Sequence, residues 1–118
     1  MNKEEAWKLA NEWVAAWNAH DLDSIMAHYD DEIGLTSPVA AKLLSAPDGK
    51  VVGKANVRAY FSRGLAAYPD LRFHLEDVLW GVNSVLFLYT NQAGRRTGEF
   101  MELSANGKVA RVVANYNA

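Results

Sequence analysis

The sequence predicts an α+β fold in which helices come first and an antiparallel meander follows, with the helices on one sheet face. Three observations carry this. Apolar residues recur at a period of about 3.6 as far as Tyr68. After Asp70 the period shortens to about 2, interrupted at Gly81-Val82-Asn83, Ala93-Gly94 and Ala105-Asn106-Gly107, which is hairpin spacing. The 118 residues are 50% apolar and 22% charged, which suits one globular domain over residues 1–118. A chain of this length hides roughly two-thirds of its unfolded surface, enough for a core without covalent staples.

In the first helix, residues 3–19, Ala6, Leu9, Ala10, Trp13, Val14 and Trp17 share one side, and Lys3, Glu4, Lys8, Asn11, Glu12 and Asn18 lie mostly opposite. The polar run from Asn18 to Asp21 interrupts the pattern, and the Asp21 carboxylate can cap a new helix. Leu22, Ile25, Met26 and Tyr29 then recur at i, i+3, i+4 and i+7, predicting a short second helix that the acidic cluster Asp30, Asp31 and Glu32 ends. A brief extended stretch from Ile33 to Ser37 stops at Pro38, which biases the residue before it away from the helical region. Pro38 to Val52 contains Ala46-Pro47-Asp48-Gly49 and reads as a mobile loop able to hold a short hairpin. The third helix carries Val57, Tyr60, Phe61, Gly64, Leu65 and Tyr68 on one face, shows Lys54, Arg58 and Arg63 to solvent, and stops at Pro69. Four strands follow: Leu71 to Leu79, Ser84 to Asn91, Arg96 to Ser104 and Lys108 to Tyr116.

Charge and composition narrow the function. Twelve Lys+Arg against 14 Asp+Glu give a net charge of -2, which offers no field to phosphate backbones or acidic lipids. Nucleic acid and membrane partners are therefore not expected. The absence of cysteine excludes disulfides and thiol chemistry. No apolar run approaches the roughly 18 residues of a membrane span, and MNKEEAWKLANEW lacks the apolar stretch of a signal peptide, so the expected location is cytoplasmic. His20, His28 and His74 show no ligand spacing, and no metal or cofactor is expected. The last strands are apolar on both parities: Leu86 and Leu88 on one, Val85, Phe87 and Tyr89 on the other. An apolar sheet face of that area is costly in water, which predicts a homodimer through the sheet.

The run WVAAWNAHDLDSIMAHYDDEIGLTSPVA, and later VVGKANVRAYFSRGL, resembles the nuclear transport factor 2-like superfamily, with SnoaL-like and ketosteroid isomerase-like members most similar. The resemblance covers roughly the whole chain. It implies a cystatin-like, cone-shaped α+β roll: three N-terminal helices packed on a curved antiparallel sheet, with an apolar pocket at the open end for a small-molecule ligand. In the isomerase-like members a carboxylate base precedes the proline after the first strand, a first-helix Tyr donates to the enolate oxygen, and a protonated acid on a later strand assists. Those positions fall here on Ser37, Trp13 and Glu99. Ser37 lacks the carboxylate and Trp13 offers an indole N–H in place of a phenol, so isomerisation by that route is disfavoured.

Glu99 remains as the candidate catalytic residue. It shares strand parity with Met101 and Leu103; facing the cone, it would be a carboxyl with a raised pKa, able to act as general acid or base, and otherwise a solvated Glu beside Arg95, Arg96 or Lys108. The resemblance also implies Trp13, Trp17, Tyr29, Ser37, Tyr60, Leu88 and Tyr116 as pocket residues. Leu43 and Leu44 could cover the mouth, and His74 could pair with Glu99 were their strands adjacent. Two functions stay open. One is a dimer that binds an apolar or mildly polar metabolite and performs cofactor-free proton transfer, hydration or dehydration; the other is a non-catalytic binding or interaction module.

Overall fold

The computed structural model describes residues 1–117. In chain order they form α1 (Lys3–Asn18), α2 (Leu22–Met26), β1 (Tyr29–Thr36), α3 (Pro38–Leu43), β2 (Lys50–Val52), α4 (Lys54–Ala67), β3 (His74–Trp80), β4 (Ser84–Thr90), β5 (Arg96–Leu103) and β6 (Val109–Tyr116). The fold is the expected α+β roll. The strands form a curved six-stranded sheet in the order β2-β1-β6-β5-β4-β3, and α1 and α4 lie across its concave face. No helix among the described residues is long and apolar enough to cross a membrane.

Local chemistry explains the helix starts. Asn2 caps α1 in a reciprocal capping box with Glu5, and Asp21 caps α2 by accepting from the Ser24 backbone N–H and hydroxyl. Ser37 caps α3, with Pro38 at the first turn where its missing N–H costs nothing.

The structure departs from the sequence expectation in the middle of the chain. Tyr29 does not close the second helix but opens β1, and Asp30, Asp31 and Glu32 belong to that strand. Helical spacing and a strand's first inward residue coincide there, and only the pairing of Tyr29 with Val109 decides between them. The stretch from Pro38 to Val52 holds α3 and β2 as well as loop, so four helical segments replace the expected three. β2 pairs with β1 as a hairpin, Leu35 opposite Val51. The β1–β6 pair is parallel, so the sheet is mixed although its other pairs are antiparallel.

The last strand group starts later than expected, at His74, because α1 claims the backbone before it. Asn18 donates to the Phe73 carbonyl at 2.9 Å and accepts from the Phe73 N–H at 2.7 Å. His20, itself in the left-handed region at φ 54°, contacts the Leu71 carbonyl at 2.8 Å. Residues 71–73 are thus held by the helix end rather than by β4.

Register sorts the sheet residues into two faces. Phe87 and Val78 are opposed and buried against the helices, as are Met101 and Val112. On the convex face Thr36, Val113, Phe100, Leu86 and Leu79 form a continuous row across five strands.

Gly49 links this framework to the cavity described below. It sits at φ +64°, and a Cβ there would lie 2.6 Å from the Ser37 carbonyl oxygen. The Gly49 carbonyl accepts from the Ser37 N–H at 2.9 Å. Gly49→Ala should lower stability by about 2 kcal/mol or more, combining a left-handed L-residue with a backbone clash; urea denaturation measures it, and a change below about 0.5 kcal/mol would show that the turn relaxes freely.

Candidate functional site

The concave face does not fill completely. Between α1, α4 and the sheet a cavity of about 340 Å³ remains, open at the end formed by α3, the end of α4 and the β4–β5 turn. Its floor is aromatic. Trp13 stacks on Phe73 with centroids 5.5 Å apart and planes 19° apart, Tyr89 packs on Phe73 at 4.4 Å, and Trp17 meets Phe61 edge-on at 4.8 Å. The Trp13 N–H, fully buried, donates to the Tyr29 hydroxyl at 3.0 Å. That leaves the phenol its own proton to donate.

Glu99 is carried by β5 at a position opposed to Phe87 on one side and Ala114 on the other, so it faces inward. It is 7% exposed. The Tyr89 hydroxyl donates to Glu99 Oε1 at 2.9 Å, and Oε2 makes no hydrogen bond among the described residues. Burial pushes the carboxyl up to about 7, partly opposed by the Tyr89 hydrogen bond. Burial, and after it the same carboxyl, push Tyr89 far above its ordinary value.

Hydroxyls surround the remaining wall. Ser37 is buried, and its Oγ accepts from the Val39 N–H at 3.1 Å, the α3 cap, while its proton stays available. Burial raises Tyr60 to about 12 and Tyr116 higher still, with Ser37 acting in the opposite sense on both. All three phenols of this wall, Tyr29 included, are neutral donors at physiological pH.

The structure therefore brings together Trp13, Trp17, Tyr29, Ser37, Tyr60, Glu99 and Tyr116 around one cavity. Leu88 does not join them. It opposes Gly98 and Asp77 on the convex face, because Phe87 and Tyr89 take the inward parity. His74 is exposed on β3, with β4 between it and the strand of Glu99, so the two cannot pair. Of the cations near Glu99 in sequence, Arg96 pairs with Glu76 and Lys108 donates to the Ala27 carbonyl, while Arg95 lines the same cavity and makes no ion pair among the described residues. At the mouth α3 contributes Val39 and Lys42, whereas Leu44 lines a separate recess with Val52 and Arg63. Sequence reasoning missed Tyr89, Phe73, Lys42 and Arg95. Tyr89 shares parity with Phe87, a usable signal once Glu99 is placed opposite Phe87; the others depend on where α3 and the turns land.

An α+β roll around an aromatic cavity with one buried carboxyl defines a class of small cone-shaped proteins. A family model described as SnoaL-like domain matches residues 10–115, and the chain belongs to that family. It is similar to a SnoaL-like protein of unknown function from Burkholderia thailandensis, with 35% identity over 99% of this chain and 98% of the other and a TM-score of 0.95. A SnoaL-like family protein from Agrobacterium tumefaciens, named as a candidate isomerase, shares the fold at 16% identity and a TM-score of 0.78, covering 98% and 99% of the two chains. So does TerC, co-crystallised with polyporic acid, at 12% identity and a TM-score of 0.77 over 95% and 91%. No curated protein matches the chain.

The carboxyl gives folding a pH dependence of known sign. Its folded pKa of about 7 exceeds the ordinary 4.5, so between those values the unfolded chain holds fewer protons than the folded one. Stability conferred by neutral Glu99 is complete below pH 4.5 and is lost as pH rises to 7, by up to ~3 kcal/mol. Glu99→Gln should remove that slope and exceed the parent in stability at pH 8. Parallel denaturation curves of the two proteins at pH 5, 6, 7 and 8 would expose a solvated Glu99 instead, by showing no divergence.

Proposed function

We propose that this chain binds a small, apolar or mildly polar organic molecule in its conical cavity and moves a proton on it without a cofactor, as isomerases and hydrating or dehydrating lyases do. The observation that carries the reading is Glu99: a buried carboxyl balanced near neutrality on the wall of an aromatic cavity. A proton-transfer group works best with its pKa near the working pH, because both forms are then populated. The volume of about 340 Å³ sits at the small end of ligand cavities, which run from roughly 300 to 1,000 Å³. That TerC was co-crystallised with polyporic acid, a small molecule, is in keeping with this use of the fold.

In this reading Tyr89 holds Oε1 and the unpaired Oε2 meets the ligand. Ionised Glu99 removes a proton from the carbon beside a ligand carbonyl. The C–H electron pair becomes the enolate double bond, and the carbonyl oxygen takes the charge under hydrogen bonds from a neutral wall hydroxyl. In a ligand with a double bond between the β and γ carbons the enolate is a dienolate, and returning the same proton to its γ carbon moves the double bond into conjugation and completes an isomerisation. With Ser37 and Trp13 in place of a second carboxylate and a helix tyrosine, Glu99 performs both the removal and the return. That same substitution pattern favours a second reading, a carrier that binds without turnover.

The dimer belongs to the same proposal. The convex row from Thr36 through Val113, Phe100 and Leu86 to Leu79 is an apolar band that a second copy would cover, Leu79 being 48% exposed. Sedimentation equilibrium at micromolar concentration should give twice 13.1 kDa, and Leu86→Arg should return the 13.1 kDa species; a parent protein already monomeric rejects the interface.

For the site itself, thermal shift against steroids, terpenoids, aromatic acids and polyketide fragments should yield a ligand. At a hundredfold excess over Kd the stabilisation is about 2.7 kcal/mol. Glu99→Gln should keep Kd within a few fold and reduce turnover of that ligand by about 100-fold or more. Equal turnover by Glu99→Gln would remove the residue from the chemistry, and a bound ligand never turned over would establish the carrier.

A further inference from the structure

We propose that the cavity selects a flat aromatic monocarboxylate, its rings between the aromatic walls and its carboxylate at the mouth against Lys42 and Arg95; this rests on the small-molecule reading above. Lys42 comes from the end of α3 and Arg95 from the β4–β5 turn, yet both line the one cavity and both are exposed. Neither makes an ion pair among the described residues. Arg96, the immediate neighbour of Arg95, pairs with Glu76 instead, which leaves Arg95 as the cation of that turn facing the cavity. Lys42 and Arg95 are the two cations among the described lining residues, and they come from opposite sides of the opening.

Both cations stand on anchored backbone. Asn91 accepts from the Arg95 N–H through its side chain at 3.0 Å, and its own N–H donates to the Arg95 carbonyl at 2.9 Å. The helix bearing Lys42 starts at the Ser37 cap, itself part of the cavity wall. The backbone at neither position has to be ordered by the ligand, which confines the ordering cost to the two side chains.

The deep end fixes the ligand's orientation. Glu99 is the one acidic side chain among the described lining residues. A ligand anion placed beside it would lose its water and meet a like charge, whereas at the mouth it keeps partial hydration and gains two cations. The deep end instead suits a neutral oxygen, which the Tyr and Ser hydroxyls can meet. Stacked Trp13, Phe73 and Tyr89 favour a flat ring system between the two ends.

The test compares 2-naphthoate with its neutral isostere 2-naphthamide by titration calorimetry on the full chain. An exposed ion pair contributes a factor of about 1.4 to 5, so two should favour the carboxylate by about fivefold. That preference should collapse at about 1 M salt, where the screening length is about 3 Å. It should also fall below twofold in Lys42→Gln/Arg95→Gln, and persist in Arg63→Gln, whose cation lies outside this cavity. Circular dichroism confirms that the variants fold. Equal or tighter binding of the amide, or a preference that survives the double substitution, overturns the selection while leaving the small-molecule reading intact. Binding of neither probe overturns the aromatic-carboxylate selection, and the wider ligand panel then decides the small-molecule reading.

Discussion

The hydrogen bond from the Trp13 indole to the Tyr29 hydroxyl is the interaction on which the rest of the architecture depends. It joins the middle of α1 to the first residue of β1 inside the core, where either group left alone would cost about 1–3 kcal/mol. With its N–H satisfied, the indole is free to use its ring surface against Phe73, Phe87 and Tyr89, which tie α1 to β4 and to the segment just before β3. One side chain thereby sets the distance between the helix layer and the curved sheet. That distance leaves a cavity, since the bulky rings prop the layers apart at the floor.

Glu99 is the point where stability and site chemistry pull against each other. A strand position opposed to Phe87 and Ala114 would suit an apolar side chain, and a carboxyl there disfavours its own ionisation. Tyr89 offsets part of this by donating to one oxygen. A local rule broken without full compensation, in a fold otherwise consistent from caps to register, is the kind of departure found at functional or strained positions, and it supports the proposed role of Glu99. Its neighbours reinforce the reading, because burial keeps the surrounding phenols neutral and able to donate.

Two kinds of surface meet in this small chain. The concave face is aromatic and polar at chosen points, while the convex face presents the row from Thr36 to Leu79. Alternation along β4 separates them: Val85, Phe87 and Tyr89 go inward, and Leu86 and Leu88 go outward. The apolar character of both parities is the reason a single strand can serve a cavity and an outer band at once.

What the residues by themselves determined is the order of elements, the two strand parities, the cap at Asp21, and the isolation of Glu99 among apolar neighbours. These follow from local periodicity and side-chain chemistry, which act within a few residues. Tyr29 shows the limit: its spacing from Ile25 and Met26 suits a helix equally well, and only pairing with Val109 makes it the start of a strand. The assignment of Leu88 to the convex face likewise waited on register, since parity alone names two faces without saying which is inside. The parallel β1–β6 pair, the folding of residues 38–52 into α3 and β2, and the convergence of Lys42 and Arg95 on one opening were decided by tertiary structure alone. The physical reason is that each depends on contacts between residues tens of positions apart, and such contacts leave no period in the sequence.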